Sequence, residues 1–94
     1  MIRVLIVDDS ATAAHILSRL FSSEPEFSVV GIASNGTDAI KMAAKLKPDI
    51  ISMDVIMPDM DGFEATRKIM STQPTPIVIV SSDQVSMSFR ALEA

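Results

Sequence analysis

The sequence predicts an α/β fold: a parallel sheet covered by helices on both faces. Three observations carry this. Four short apolar runs, at residues 2–7, 27–33, 50–53 and 77–80, have the length and near-continuous hydrophobicity of strands buried on both faces. A segment of helical period follows each run, and strand–helix alternation of this kind requires right-handed crossovers and a parallel sheet. Aspartates stand at the ends of the first and third runs, where open α/β sheets present their ligand-binding edge.

The first run, Ile2 to Val7, is apolar on both faces and belongs in the sheet centre. Asp8-Asp9-Ser10 turns into a helix carrying Ala14, Leu17 and Phe21 at helical spacing, with Leu20 beside them. Ser22-Ser23-Glu24-Pro25 closes it, because proline disfavours helical geometry in the preceding residue. His15, within this helix, reads as a solvated or packing residue and is assigned no role. Phe27 to Ala33 is the second strand. Asn35-Gly36 could mark a hairpin, but Ala39, Ile40, Ala43 and Ala44 follow a helical period, so Asn35 reads as a helix-start or turn residue and the pair as a strand-to-helix junction. Lys41, Lys45 and Lys47 crowd its C-terminal half, where the macrodipole favours cations. Pro48 ends it and leads into the third strand. Asp61 is placed to cap a third helix bearing Phe63, Thr66, Ile69 and Met70. Gln73-Pro74-Thr75-Pro76 connects to the β-branched run Ile77–Val80, after which Val85, Phe89 and Leu92 predict the start of a fourth helix.

If the first and third strands are neighbours, Asp8, Asp9 and Asp54 converge at one sheet edge. Three clustered carboxylates repel one another unless a cation neutralises them, and hard oxygen ligands suit Mg²⁺ better than a soft metal. Either stretch alone is as readily a helix cap or a turn. Their joint position after buried strands favours a functional site.

Bulk properties narrow the classes. Ninety-four residues with 48% apolar and 21% charged composition allow one small globular domain. A net charge of −4 with few, scattered Lys and Arg argues against direct nucleic-acid binding. The chain has no cysteine, which excludes a disulfide scaffold or thiolate metal site. Arg3 and the two aspartates interrupt any signal-peptide pattern, and no apolar stretch is long enough to span a membrane. A cytoplasmic location is therefore expected.

Taken together, Asp8-Asp9 after the first strand, Asp54 with Met57-Pro58 and Asp61-Gly62 after the third, and Ser81 after the fourth resemble a response-regulator receiver domain. Thr75 to Ser82 and Arg90 to Ala94 are similar to the receiver half of the chemotaxis protein-glutamate methylesterase. The resemblance implies a flavodoxin-like doubly wound sheet of order 2-1-3-4 and a role in two-component phosphorelay signalling. Asp54 would accept a phosphoryl group from a histidine kinase. Asp9, Asp54 and the backbone carbonyl of Ile56 would hold Mg²⁺, with Asp8 reaching it through water. Ser81 would contact the phosphoryl group as the switch hydroxyl, and Ser82 would offer a backbone contact. Pro58 and Gly62 would shape the loop beneath, and an output domain or protein would read the result. An acyl phosphate on a carboxylate is chemically reasonable when a metal neutralises the approach of two anions.

Residues 1–94 depart from that pattern. The resemblance calls for a fifth strand ending in a lysine and for a fifth helix, and the lysines here are Lys41, Lys45, Lys47 and Lys68, none after the fourth strand. The domain is thus expected to be C-terminally incomplete. The fourth strand is expected to be a bare apolar edge prone to self-association. Three further classes compete: a degenerate receiver that only binds a partner, an Mg²⁺-dependent phosphohydrolase, and a dinucleotide-binding domain. The phosphohydrolase lacks its Asp-x-Asp pair after the first strand, and the dinucleotide fold lacks Gly-x-Gly-x-x-Gly. Independent esterase activity has no Gly-x-Ser-x-Gly elbow to support it.

Overall fold

Eight elements alternate as expected through the fourth strand: β1 (Ile2–Val7), α1 (Ala11–Ser22), β2 (Phe27–Ala33), α2 (Gly36–Leu46), β3 (Ile50–Asp54), α3 (Gly62–Thr72), β4 (Ile77–Ser81) and β5 (Ser86–Phe89). The structure, a computed structural model, describes residues 1–81 and 86–89, with Ser81 and the last four given by their backbone alone.

β1 lies between β2 and β3, and β4 flanks β3, all in parallel, giving the order β2-β1-β3-β4. The reason is visible in the side chains. Alternate residues of the central strands face opposite sides, and both sides are apolar. Leu5, Val7, Ile51, Met53, Ile77 and Ile79 pack with Ala39 and Ala43 of α2 and Ala65 and Ile69 of α3. Val4 and Ile6 pack on the other side with Ala14, Leu17 and Phe21 of α1. On this second face Phe21 and Phe27 meet edge to face, ring centroids 5.3 Å apart. Each of these helices has a polar N-cap: Ser10, Asn35 and Asp61 accept from the N–H groups of Ala13, Asp38 and Glu64. At the other end of α2, the Arg3 guanidinium donates to the carbonyls of Leu46 (2.7 Å) and Lys47 (2.9 Å), tying that C-terminus to β1. Lys47 itself takes the left-handed conformation (φ 49°) that ends the helix before Pro48. Among the described residues no helix is long and apolar enough to cross a membrane.

The end of the chain corrects two expectations. Ser86–Phe89 is a strand, not part of a fourth helix; Val85 and Leu92, the other residues on which that helix was placed, lie outside the described residues. A fifth strand is therefore present, although it runs antiparallel and pairs Val78 with Phe89 and Val80 with Met87. It is not the parallel strand, reached by a crossover, that the resemblance calls for, and the parallel order 2-1-3-4 stands as expected. The fourth strand is consequently not a bare edge open to self-association, because β5 covers it. The cause is the one that made β4 a liability: unpaired β-branched backbone recruits a partner, and Ser86-Met87-Ser88-Phe89, alternating with period two, supplies one from the same chain.

Candidate functional site

The parallel register builds the site. Val7 pairs with Met53, so Asp8, one residue beyond Val7, stands level with Asp54, the last residue of β3. Asp8 continues the ladder by donating its N–H to the Ala33 carbonyl (3.0 Å). Its Oδ1 accepts the N–H of Ser10 (2.9 Å), so the turn into α1 is closed by the same segment that delivers the acids. The cap and the acidic site therefore coexist: Ser10 serves the helix, and Asp8 and Asp9 serve the edge. One carboxylate oxygen from each of Asp8, Asp9 and Asp54 lies within 4.8 Å of the others. Asp8 and Asp54 are buried, and Asp9 is exposed.

This arrangement is electrostatically uncomfortable. The Asp54 carboxyl is raised from 3.8 to about 6, first by its burial and next by the charge of Asp8, with Asp9 adding to the shift. The backbone N–H of Ile56 pulls the other way by hydrogen bonding to the carboxylate. Among the described residues, Oδ1 of Asp54 is buried without a hydrogen-bond partner. A buried, unpartnered oxygen costs roughly 1–3 kcal/mol, and more when charged. Such an oxygen beside two further carboxylates is what a hard divalent cation would satisfy, and the donor set, all oxygen, fits Mg²⁺. Among the described residues this is the one group of three or more potential metal ligands.

The loop after β3 is fixed at both ends. Val55 donates to the Val80 carbonyl (3.2 Å), and Gly62 donates to the Val55 carbonyl (2.7 Å). Gly62 must lack a side chain, because a Cβ there would collide with the carbonyl oxygen of Asp54 and crowd Val55 Cα at 3.0 Å. Asp61 caps α3, accepting the Glu64 N–H at 2.7 Å, and Met57 is buried in the core. Between them, Asp59 reaches across to α2. Its Oδ1 accepts the Gly36 N–H (2.8 Å), and its Oδ2 accepts the Thr37 N–H (2.8 Å) and hydroxyl (2.6 Å). These donors, the Thr37 hydroxyl foremost, hold the Asp59 carboxyl far below the ordinary carboxylate range. The sequence reading missed Asp59, which has no local signal because the helix end that it serves lies more than twenty residues earlier.

The structure thus brings Asp8, Asp9 and Asp54 together and sets the Ile56 backbone beside them. Ile56 exposes its side chain. Asp54 pairs with Val80, so Ser81 ends β4 one residue past that level, at the same carboxyl edge; this placement rests on its backbone. Ser82 lies outside the described residues.

Comparison with known proteins agrees with this geometry. Residues 4–94 match the family model described as the response regulator receiver domain. The chain is 52% identical, over its whole length, to protein-glutamate methylesterase/protein-glutamine glutaminase 1 of Syntrophus aciditrophicus, and 51% identical to the corresponding protein 2 of Methanospirillum hungatei. It spans only 28% of the length of each. Among solved structures, the response regulator domain of Thermotoga maritima CheB superposes with a TM-score of 0.85 at 46% identity, covering 87% of this chain and 61% of that one. CheX–CheY–BeF3–Mg, a complex from Borrelia burgdorferi, matches with a TM-score of 0.81 at 31% identity, covering 86% of this chain and 62% of the matched chain.

Proposed function

The chain belongs to the response regulator receiver domain family, and we propose on that premise that residues 1–94 accept a phosphoryl group on Asp54 and pass the change to an output partner. The observation that carries this reading is Oδ1 of Asp54, buried beside Asp8 and Asp9 without a partner among the described residues. In the reaction a carboxylate oxygen of Asp54 attacks phosphorus. The new P–O bond forms as the P–N bond to the donor's phosphohistidine breaks, and the electron pair returns to the imidazole nitrogen, which takes up a proton. Asp9, Asp54 and the Ile56 carbonyl would hold Mg²⁺ directly, and Asp8 would do so through water. Bound there, Mg²⁺ supplies charge neutralisation for the meeting of two anions. The Borrelia burgdorferi complex, in which BeF3 and Mg occur together with a protein of similar fold, supports that pairing of ligands.

The residues of this chain do the positioning. The β1–β3 register sets Asp8 level with Asp54, and the Ile56 N–H orients the acceptor carboxylate. Ser81, at the end of β4, would sense the added dianion through its hydroxyl. The donor is a histidine kinase, and the setting is the cytoplasm. The relatives' names point to a protein-glutamate methylesterase as the output, and the resemblance implies a chemotaxis setting.

The test is intact mass after incubation with a small acyl phosphate and MgCl₂, for the wild type and for Asp54→Asn. A single phosphoryl adduct is expected, lost in the variant and with chelator. No adduct on a folded, Mg²⁺-saturated wild type would sink the reading and leave a degenerate receiver that only binds partners.

A further inference from the structure

We propose that Asp59 is a positioning residue for the metal site, a clamp between α2 and the loop after β3 that holds the Ile56 backbone against Asp54. The inference rests on the proposed function for the metal but on geometry for the clamp.

The loop of residues 55–61 must place a backbone group beside a buried carboxylate, yet Ile56 has no side-chain anchor of its own, being largely exposed. Its position is inherited from its neighbours. Val55 is tied to Val80 and to Gly62, and Met57 is sunk in the core. The rest of the loop would swing about those points but for Asp59, whose three hydrogen bonds cross to Gly36 and Thr37. The two N–H groups belong to the first turn of α2 and have no partner within that helix, so the carboxylate completes the helix end and is itself completed by it. Packing reinforces the clamp: Met60 lies so close over Gly36 that a Cβ there would overlap Met60 Cγ. Neighbours that orient ligating groups typically govern metal affinity by about 10- to 100-fold although they never touch the ion. Asp59 acts on Ile56 one step further out, through the backbone of the loop that its three hydrogen bonds hold to α2.

MgCl₂ affinity by calorimetry and amide hydrogen exchange at Ile56 test this together. Asp59→Ala is expected to weaken Mg²⁺ binding about tenfold and to speed exchange of the Ile56 N–H. Asp59→Asn, with one acceptor oxygen in place of two, and Thr37→Val, which removes only the hydroxyl donor, should give smaller changes in the same direction. A folded Asp59→Ala protein with wild-type Mg²⁺ affinity and wild-type exchange at Ile56 would overturn the proposal, even if its melting temperature fell. If Asp59→Ala does not fold, Thr37→Val decides by the same two readouts. Failure of the wild type to bind Mg²⁺ would defeat the proposed function instead, and the exchange rate at Ile56 alone would then decide the clamp.

Discussion

Two carboxylates close together in the chain, Asp54 and Asp59, have opposite fates. Asp54, at the end of β3, is buried, faces two other acids and leaves one oxygen without a partner among the described residues. Asp59, docked on the first turn of α2, is exposed yet saturated by three donors. The first carboxyl is pushed up to about 6, and the second is held far below the usual range. Burial and the Asp8 charge raise the first, and hydrogen-bond donors lower the second. An acid whose oxygens are already satisfied is structural, whereas one buried beside like charges and short of donors is available to a ligand.

The contrast can be broken most strongly at Asp54. Its raised value means that the folded protein keeps a proton the unfolded chain has lost, so stability falls as pH rises from about 4 through about 6 and is level above that. Asp54→Asn should remove this fall and stabilise the metal-free protein at neutral pH, by on the order of 1–3 kcal/mol. Urea unfolding followed by circular dichroism at several pH values would measure it; a destabilised Asn variant would end the comparison. Asp59 carries the opposite sign: its contribution is present above the ordinary carboxylate range and is lost as pH falls. Asp59→Asn should therefore cost stability at neutral pH in the same assay.

A smaller effect is expected at Gly62, which lets α3 approach the Asp54 backbone. Gly62→Ala should destabilise by roughly 1–3 kcal/mol, as overpacking does, and should also reduce phosphoryl uptake by displacing Asp54, the proposed acceptor. A variant with normal uptake would show that the close approach is not needed. Smallest of all is Asp61→Ala. Asp61 is the intermediate case, with a single N–H donor from Glu64; its loss should cost about 1 kcal/mol in thermal or urea melts and leave the uptake rate nearly intact.

The sequence made the poised acid legible and hid the satisfied one. Asp54, Asp8 and Asp9 follow apolar runs, and a parallel sheet makes strand ends coincide, so local pattern and general topology were enough. The caps at Asn35 and Asp61 were legible for the same reason, since each bonds within its own turn. Asp59 bonds to residues more than twenty positions earlier, a contact that no short window contains. Arg3, reaching the last carbonyls of α2, is hidden likewise. The misread strand at Ser86–Phe89 has another cause. Val85 and Phe89 fit a helical period, while Met87 and Phe89 fit a period of two, and the open flank of β4 settled the choice.

The β1–β3 pairing also has a consequence for how fast the chain folds. Val7 meets Met53 only after α1, β2 and α2 have been accommodated between them, so the acids are far apart in the unfolded chain and collide as the central sheet closes. Non-local pairing of this kind is already slow because loop-closure entropy must be overcome first. Here the closing step also drives like charges together. Refolding should accelerate as pH is lowered toward 5, or as Mg²⁺ is added, to the extent that the transition state has joined β1 to β3. The pH dependence of the refolding limb would thus time the assembly of the sheet from the standpoint of its most reluctant members.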